Sequence, residues 1–267
     1  MFQSKHFFLQ AHAVSNQGKV RSNNEDNFFA DGQCNPDPQK GGNVTVEKVK
    51  LRSHVFAVCD GMGGESYGEV ASEIGVKTLL EHYPELKKAR GEKLEQAVNQ
   101  YATAVNNRIC KMIAERKCGN SGTTLAMLCF QESYAYPFYI GDSRIYLYDG
   151  FDLYALTKDQ TLANEMLLQD VYTPEQAEMS YDRNKLIHFM GEDKSRKGLR
   201  ATAQEAIPLK RGMRFLLCSD GLSDMCSDLT LYEILSEPEL NHAQALVDLA
   251  LEAGGTDNVT VIVIDIL

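Results

Sequence analysis

Four apolar runs in this 267-residue sequence lead into or out of an aspartate: VFAVCDG sets Asp60 before Gly61, FYIGDSR ends on the loop of Asp142, FLLCSDG sets Asp220 before Gly221, and GGTDN sets Asp257 ahead of VTVIVI. A buried strand delivers its terminal side chain to the edge of a sheet, so four such ends can converge on one acidic patch. Carboxylates crowded together without a counter-charge repel and lose hydration until one of them takes up a proton. A hard divalent cation resolves that conflict. Oxygen donors with no histidine beside them suit Mg²⁺ or Mn²⁺ better than zinc, copper or iron. Glycine at 61 and at 221 allows the backbone to approach such an ion and to offer it a carbonyl. One Asp-Gly pair is an ordinary turn dipeptide. Four aspartates, each beside a core strand, are harder to explain that way.

A second cluster, GKVRSNNED, brings Arg21, Glu25 and Asp26 close together in sequence. A guanidinium grips a phosphoryl group with two parallel hydrogen bonds, and the acids can hold metal-bound waters beside it. Taken alone, the same residues would make a solvated turn.

The elements that must position these side chains can be read from periodicity. Strand-like runs lie at about 7–14, 26–31 and 54–59, and again at 123–130, 136–140, 144–148, 152–156, 214–218 and 259–266. A helix is expected over 65–83, and a second where Leu94, Val98, Tyr101, Val105, Ile109 and Met112 recur at intervals of three and four. Pro84 and Gly91 are expected in the turn between them. Residues 229–236 and 242–253 read as a further helical pair, stopped by Gly254-Gly255. The Gly/Pro/Lys-rich stretch 31–52 reads as a hairpin or surface loop. Residues 157–191 read as a flap with two short helices, 162–168 and TPEQAEM, the latter with Thr173 as N-cap and Pro174 as its first residue. Helices in pairs, separated from blocks of strands, indicate an α+β layered fold with antiparallel sheets. With no repeat and no linker-like shift in composition, one domain over 1–267 is expected.

Composition narrows the function. A net charge of −10 with no basic stripe argues against a nucleic-acid ligand. The apolar runs are strand-sized, so no membrane span is expected, and the N-terminus lacks the pattern of a secretory leader. Seven scattered cysteines without a C-x-x-C pair suggest core thiols in a reducing, cytoplasmic compartment and no zinc site. Six histidines (6, 12, 54, 82, 188 and 242) show no ligand spacing. Ser219 lacks a G-x-S-x-G elbow and reads as structural.

With these residues in hand, the sequence resembles the bacterial branch of the metal-dependent type 2C serine/threonine protein phosphatases. The likeness runs in family order through GKVRSNNEDN, VFAVCDGMGGE, GNSGTTLAMLCF, YIGDSRIYLYDG, RNKL with Met190-Gly191, FLLCSDGLSDM and GGTDNVTVIVI. It implies a four-layer αββα sandwich, two antiparallel sheets flanked by pairs of helices. It also implies two Mn²⁺ or Mg²⁺ ions bridged by Asp60, with Asp220 and Asp257 completing the first site and the Gly61 carbonyl and Glu25, through water, serving the second. Arg21 would hold the phosphoryl oxygens, Asp26 would orient metal-bound water, and Asp142 with Asp220 and Asp224 would form a third site. The implied reaction is hydrolysis of phosphoserine or phosphothreonine in proteins by the bridging water, with no phosphoenzyme, opposing a cognate serine/threonine kinase; a cytoplasmic monomer is expected. Two departures stand out. Met62 occupies the position where some members carry a candidate general-acid histidine, and Asp159-Gln160-Thr161 replaces the frequent D-H-S of the flap. The rival readings are a hydrolase of small phosphate esters and a catalytically silent phosphoprotein-binding regulator. A silent member should have lost metal carboxylates, and Asp60, Asp220 and Asp257 are all present.

Overall fold

The computed structural model describes residues 7–63, 67–192, 199–238 and 241–267. Two antiparallel sheets carry the chain. The first contains β1 (Phe8–Asn16), β4 (Asn43–Lys50), β9 (Arg144–Tyr148), β10 (Leu153–Ala155), β13 (Arg214–Cys218) and β14 (Val259–Ile266), in the order β10-β9-β13-β14-β1-β4. The second runs β11 (Thr202–Ala203), β8 (Tyr134–Ile140), β7 (Leu125–Gln131), β5 (Ser53–Gly63), β2 (Asp26–Ala30) and β3 (Gln33–Cys34). Short β6 (Ser121–Thr123) pairs with β5, and β12 (Ile207–Pro208) with β8. β14 lies inside its sheet, and all eight of its residues are buried, as its apolar run Val261–Ile264 requires.

The sheets face one another across Phe28, Phe56, Phe130, Phe215, Ile262 and Ile264. Phe130 bridges them, meeting Phe56 and Phe215 edge to face at 6.0 and 5.5 Å between ring centres. On the outer face of the second sheet lie α1 (Gly68–Lys88) and α2 (Glu92–Arg116), packed through Leu79, Val98, Tyr101 and Val105. On the outer face of the first lie α6 (Asp228–Ser236) and α7 (His242–Glu252), packed through Leu231, Leu235, Leu246 and Val247. The result is the expected αββα order of layers. Among the described residues no helix is long and apolar enough to cross a membrane.

Two local expectations are corrected. The stretch 31–52 is not merely a loop, because β4 pairs with β1 along most of its length. Its alternation is hidden by a register shift between Leu9 and Ala11 of the partner strand, which puts Val46 and Val49 out of phase. Pro84 lies inside α1 and not in the turn after it. The helix loses the hydrogen bond that a residue-84 N–H would make, yet continues because buried Leu86 anchors its last turn and Ser53 Oγ donates to the Lys87 carbonyl at 2.9 Å. The start expected at residue 65 lies outside the described residues. Asp220 opens a one-turn helix, α5 (Asp220–Ser223). The two flap helices fall where anticipated, as α3 (Leu162–Leu168) and α4 (Pro174–Met179), with a full capping box on Thr173 and Gln176.

Candidate active site

Carboxylates far apart in sequence are delivered to one end of the sandwich by different elements. Asp26 opens β2 and lies opposite Asp60 of β5 in antiparallel register. Asp142 is buried in the turn between β8 and β9. Asp220 follows directly on β13, and Asp257 stands just ahead of β14. Burial raises Asp60 well above the usual carboxylate range, and the charges of Asp26, Asp220, Asp142 and Asp257 raise it further. Asp142 is raised in the same way by burial and then by Asp220 and Asp159. Burial also takes Asp26 to about 7 and Asp220 to about 6. A hydrogen bond from Asp60 and the charge of Arg21 act against that rise at Asp220. Glu25 is raised by burial, against a hydrogen bond from Asn23.

The backbone closes tightly around this cluster. A Cβ on Gly221 would lie 1.9 Å from the carbonyl oxygen of Asn258, and one on Gly61 would lie 2.2 Å from that of Gly68 and 2.5 Å from that of Glu25. Chain-to-chain contact alone therefore demands glycine at both positions. Gly68 opens a pocket in its turn. A Cβ there would sit 2.3 Å from Glu25 Oε2 and 3.0 Å from the Gly61 carbonyl oxygen. Only a residue without a side chain leaves those two oxygens together.

Hydroxyl groups fix the acids from behind. Ser219 Oγ donates to Asp26 Oδ2 at 2.6 Å and accepts from the Thr260 N–H at 2.9 Å, which confirms a structural part for this serine. The Asp60 N–H donates to Thr124 Oγ1 at 3.0 Å, and that hydroxyl is 2.7 Å from Ser143 Oγ, next to Asp142.

The cations take the outer acids. Arg21 Nη2 donates to Asp257 Oδ2 at 2.5 Å, and the two side chains keep 53% and 32% of their surface open. A pair so exposed contributes little, about 0–1 kcal/mol, so Arg21 is free to change partner. Asp224 turns towards the flap, accepting from Arg183 Nη2 at 2.7 Å and Asn184 Nδ2 at 3.2 Å. In the flap, Asp159 receives both Nε and Nη2 of Arg144, at 2.9 and 2.6 Å.

The donor set fits a hard cation: carboxylate and carbonyl oxygens, desolvated, mutually repelling, and with the Glu25 and Gly61 oxygens cradled at Gly68. Among the described residues no three His, Cys, Asp or Glu side chains already stand around a single point suited to an ion. Asp257 is drawn aside by Arg21 and Asp224 by Arg183. The described histidines are engaged elsewhere. His12 meets Thr45, His54 meets Asp31, His188 meets Glu192, His242 meets the Glu237 carbonyl, and His82 packs on Tyr101. His6 lies outside the described residues.

Asn258 is the residue that sequence reasoning missed. Its Nδ2 donates to the carbonyls of Gln17 and Asn23, and its Oδ1 accepts from the Glu25 N–H, each at 2.8 Å. One buried side chain thus shapes the whole loop that carries Arg21 and Glu25. The sequence signal was only the N of GGTDN, adjacent to a more conspicuous aspartate. Asn258→Ala leaves three backbone groups without their partner, so a loss of about 2–3 kcal/mol is expected, together with a fall in activity as Arg21 and Glu25 lose their alignment. Urea denaturation and kinetics on the same variant check this; an unchanged unfolding midpoint would mean the loop is held by something else.

The chain is similar to known protein phosphatases. The family model described as Protein phosphatase 2C matches residues 31–249. The serine/threonine protein phosphatase PstP of Mycobacterium tuberculosis is 34% identical over 261 residues, covering 97% of this chain and 45% of that protein. The chain therefore spans about half the length of that relative. The protein phosphatase PhpP of Streptococcus pneumoniae is 31% identical over 209 residues, covering 78% of this chain and 83% of that one. A crystal structure of the PstP catalytic domain with two manganese ions superposes with a TM-score of 0.76 at 33% identity, covering 98% of this chain and 99% of that one.

Proposed function

Since the chain belongs to the protein phosphatase 2C family, we propose that it is a metal-dependent serine/threonine protein phosphatase, a single catalytic domain that acts on phosphoproteins in the cytoplasm as a monomer and opposes a serine/threonine kinase. The observation that carries this reading is the convergence of Asp26, Asp60, Asp142, Asp220 and Asp257, from separate elements, on one place where burial and mutual repulsion raise Asp60 well above its ordinary range. Asp60, Asp220 and Asp257 would hold one Mn²⁺ or Mg²⁺ ion. Asp60, the Gly61 carbonyl and Glu25 would hold a second, and Asp142 with Asp220 and Asp224 a third. When bound, the ions supply positive charge against the charge that develops on the phosphoryl oxygens and activate water at neutral pH.

The chain's own residues do the rest. Arg21, exposed at the mouth and lightly held by Asp257, can give its guanidinium fork to two phosphoryl oxygens. Asp26, held by the Ser219 hydroxyl at Oδ2 and by Thr260, would orient the attacking water. Water is the nucleophile, because Ser219 Oγ is committed to Asp26 and Thr260, and burial pushes the thiols of Cys59 and Cys218 up to about 12. Met62 has no proton to give, so the leaving group takes its proton from water.

The test is release of phosphate from a phosphothreonine peptide and from an aryl phosphate, with Mn²⁺, with Mg²⁺ and with chelator, for wild type and Asp220→Ala. Metal-dependent turnover that disappears in the variant is expected. Folded, metal-loaded protein that hydrolyses neither substrate would sink the reading and favour a silent phosphoprotein-binding regulator.

A further inference from the structure

Beside the carboxylates runs a groove of about 760 Å³, with the flap on one wall and α5 and the start of α6 on the other. Asp142 and Asp220 belong to its lining, so the groove adjoins the place where the phosphoryl group would react. Asp142 is 8% exposed and has no side-chain partner among the described residues. Among the described residues that line the groove, three are cations: Arg144 is spent on Asp159 and Arg183 on Asp224, which leaves Lys158. Against it stand Glu178 of α4 and Asp228 of α6, one on each wall and neither in an ion pair with another described residue. Asp228 is held in place by the hydroxyl of Tyr146, which donates to its Oδ1 at 3.2 Å while accepting from Arg144 Nη1 at 3.0 Å. Leu167 and Leu168 add an apolar stretch to the flap wall, and Leu168 is 63% exposed. Exposed Val171, Met179 and Tyr181 continue apolar surface along the flap.

A groove that joins fixed, uncompensated carboxylates to an apolar wall suits a side chain with an apolar stem and a cationic head. We propose that it seats the polypeptide flanking the phosphorylated residue and selects an arginine or lysine there, with Glu178 and Asp228 as specificity-determining residues and Leu167 and Leu168 packing along the stem. This rests on the protein phosphatase reading. It adds to that reading a substrate class: phosphoserine or phosphothreonine with a basic neighbour within a few residues.

The experiment compares kcat/KM, with Mn²⁺, for phosphothreonine peptides carrying Arg, Ala or Glu at each of the positions on either side of the phosphoresidue. Wild type is set beside the double variant Glu178→Gln, Asp228→Asn, with an aryl phosphate too small to reach the groove as control. Wild type is expected to prefer Arg over Glu by about tenfold or more at one position at least, with the preference shrinking as salt is raised. In the double variant the preference should fall to about threefold or less while aryl phosphate turnover stays at the wild-type level, which also shows that the variant is folded. Equal rates for Arg, Ala and Glu peptides in wild type, or an undiminished preference in the double variant, overturn the proposal. No turnover of peptide or aryl phosphate by wild type overturns the phosphatase reading itself, and this inference with it.

Discussion

Asp60→Asn is expected to hydrolyse a phosphothreonine peptide at least about a thousandfold more slowly than wild type, a loss of ~4 kcal/mol in barrier lowering, and yet to melt higher than wild type in chelator. The two effects share one cause. Asp60 sits deep among Asp26, Asp220, Asp142 and Asp257, and both burial and their charges resist its ionisation. An amide has nearly the same shape, carries no charge, and can still donate to Asp220 as the protonated acid does. It therefore removes repulsion from the folded protein while removing the oxygen that two ions would share. A merely structural aspartate would give the opposite pattern, lower stability with activity largely intact. Melting curves in chelator and single-turnover rates in Mn²⁺, run on the same preparation, separate the two.

The second large effect is on stability against pH. Folded-state values of about 7 for Asp26 and about 6 for Asp220 stand above the ordinary carboxylate value near ~4. Between those limits the folded chain holds protons that the unfolded chain has released, so folding gains as pH falls and the gain is lost as pH rises through the folded pKa. In chelator, the melting temperature is expected to rise as pH is lowered from about 8 to about 5.5, with a limiting slope of about 1.4 kcal/mol per pH unit for each proton held. Asp31 works in the other direction. Burial would raise it, but hydrogen bonds from His54 and Tyr83 and the charge of Lys87 outweigh burial, so its contribution is lost only as pH falls below about 4. Mn²⁺ at neutral pH should raise the melting temperature and flatten or invert the slope, because protons then compete with the ion for the same oxygens. A chelated protein that loses stability steadily from about pH 8 to 5.5 would contradict the electrostatics assigned to the site.

Much of this was legible in the sequence because strand cores and chain punctuation are local. FLLCSDG and VTVIVI are buried strands wherever they occur, and their aspartates had to emerge at an edge. TPEQAEM announces its capping box by residue type alone, and the structure forms it on Thr173 and Gln176. What escaped depends on distant partners. β4 was masked by a register shift that belongs as much to β1 as to itself. Pro84 stays inside α1 because Leu86 and Ser53 hold the turn beyond it. Asn258 matters through three contacts with a loop at the other end of the chain, and Gly68 through the oxygens of Glu25 and Gly61. The pairing of Arg21 with Asp257 could not be read from spacing, since each residue pointed to a separate task.

β14 has a further consequence for how the protein comes into being. It is the central partner of both β1 and β13, joining residue 16 to residue 259 and residue 218 to residue 261. A ribosome releases the chain from its N-terminus at about 5–20 residues per second. β1, ending at residue 16, is therefore made well before residue 259, its partner in the sheet, has been added. The first sheet is complete only when β14 pairs with β1 on one side and with β13 on the other.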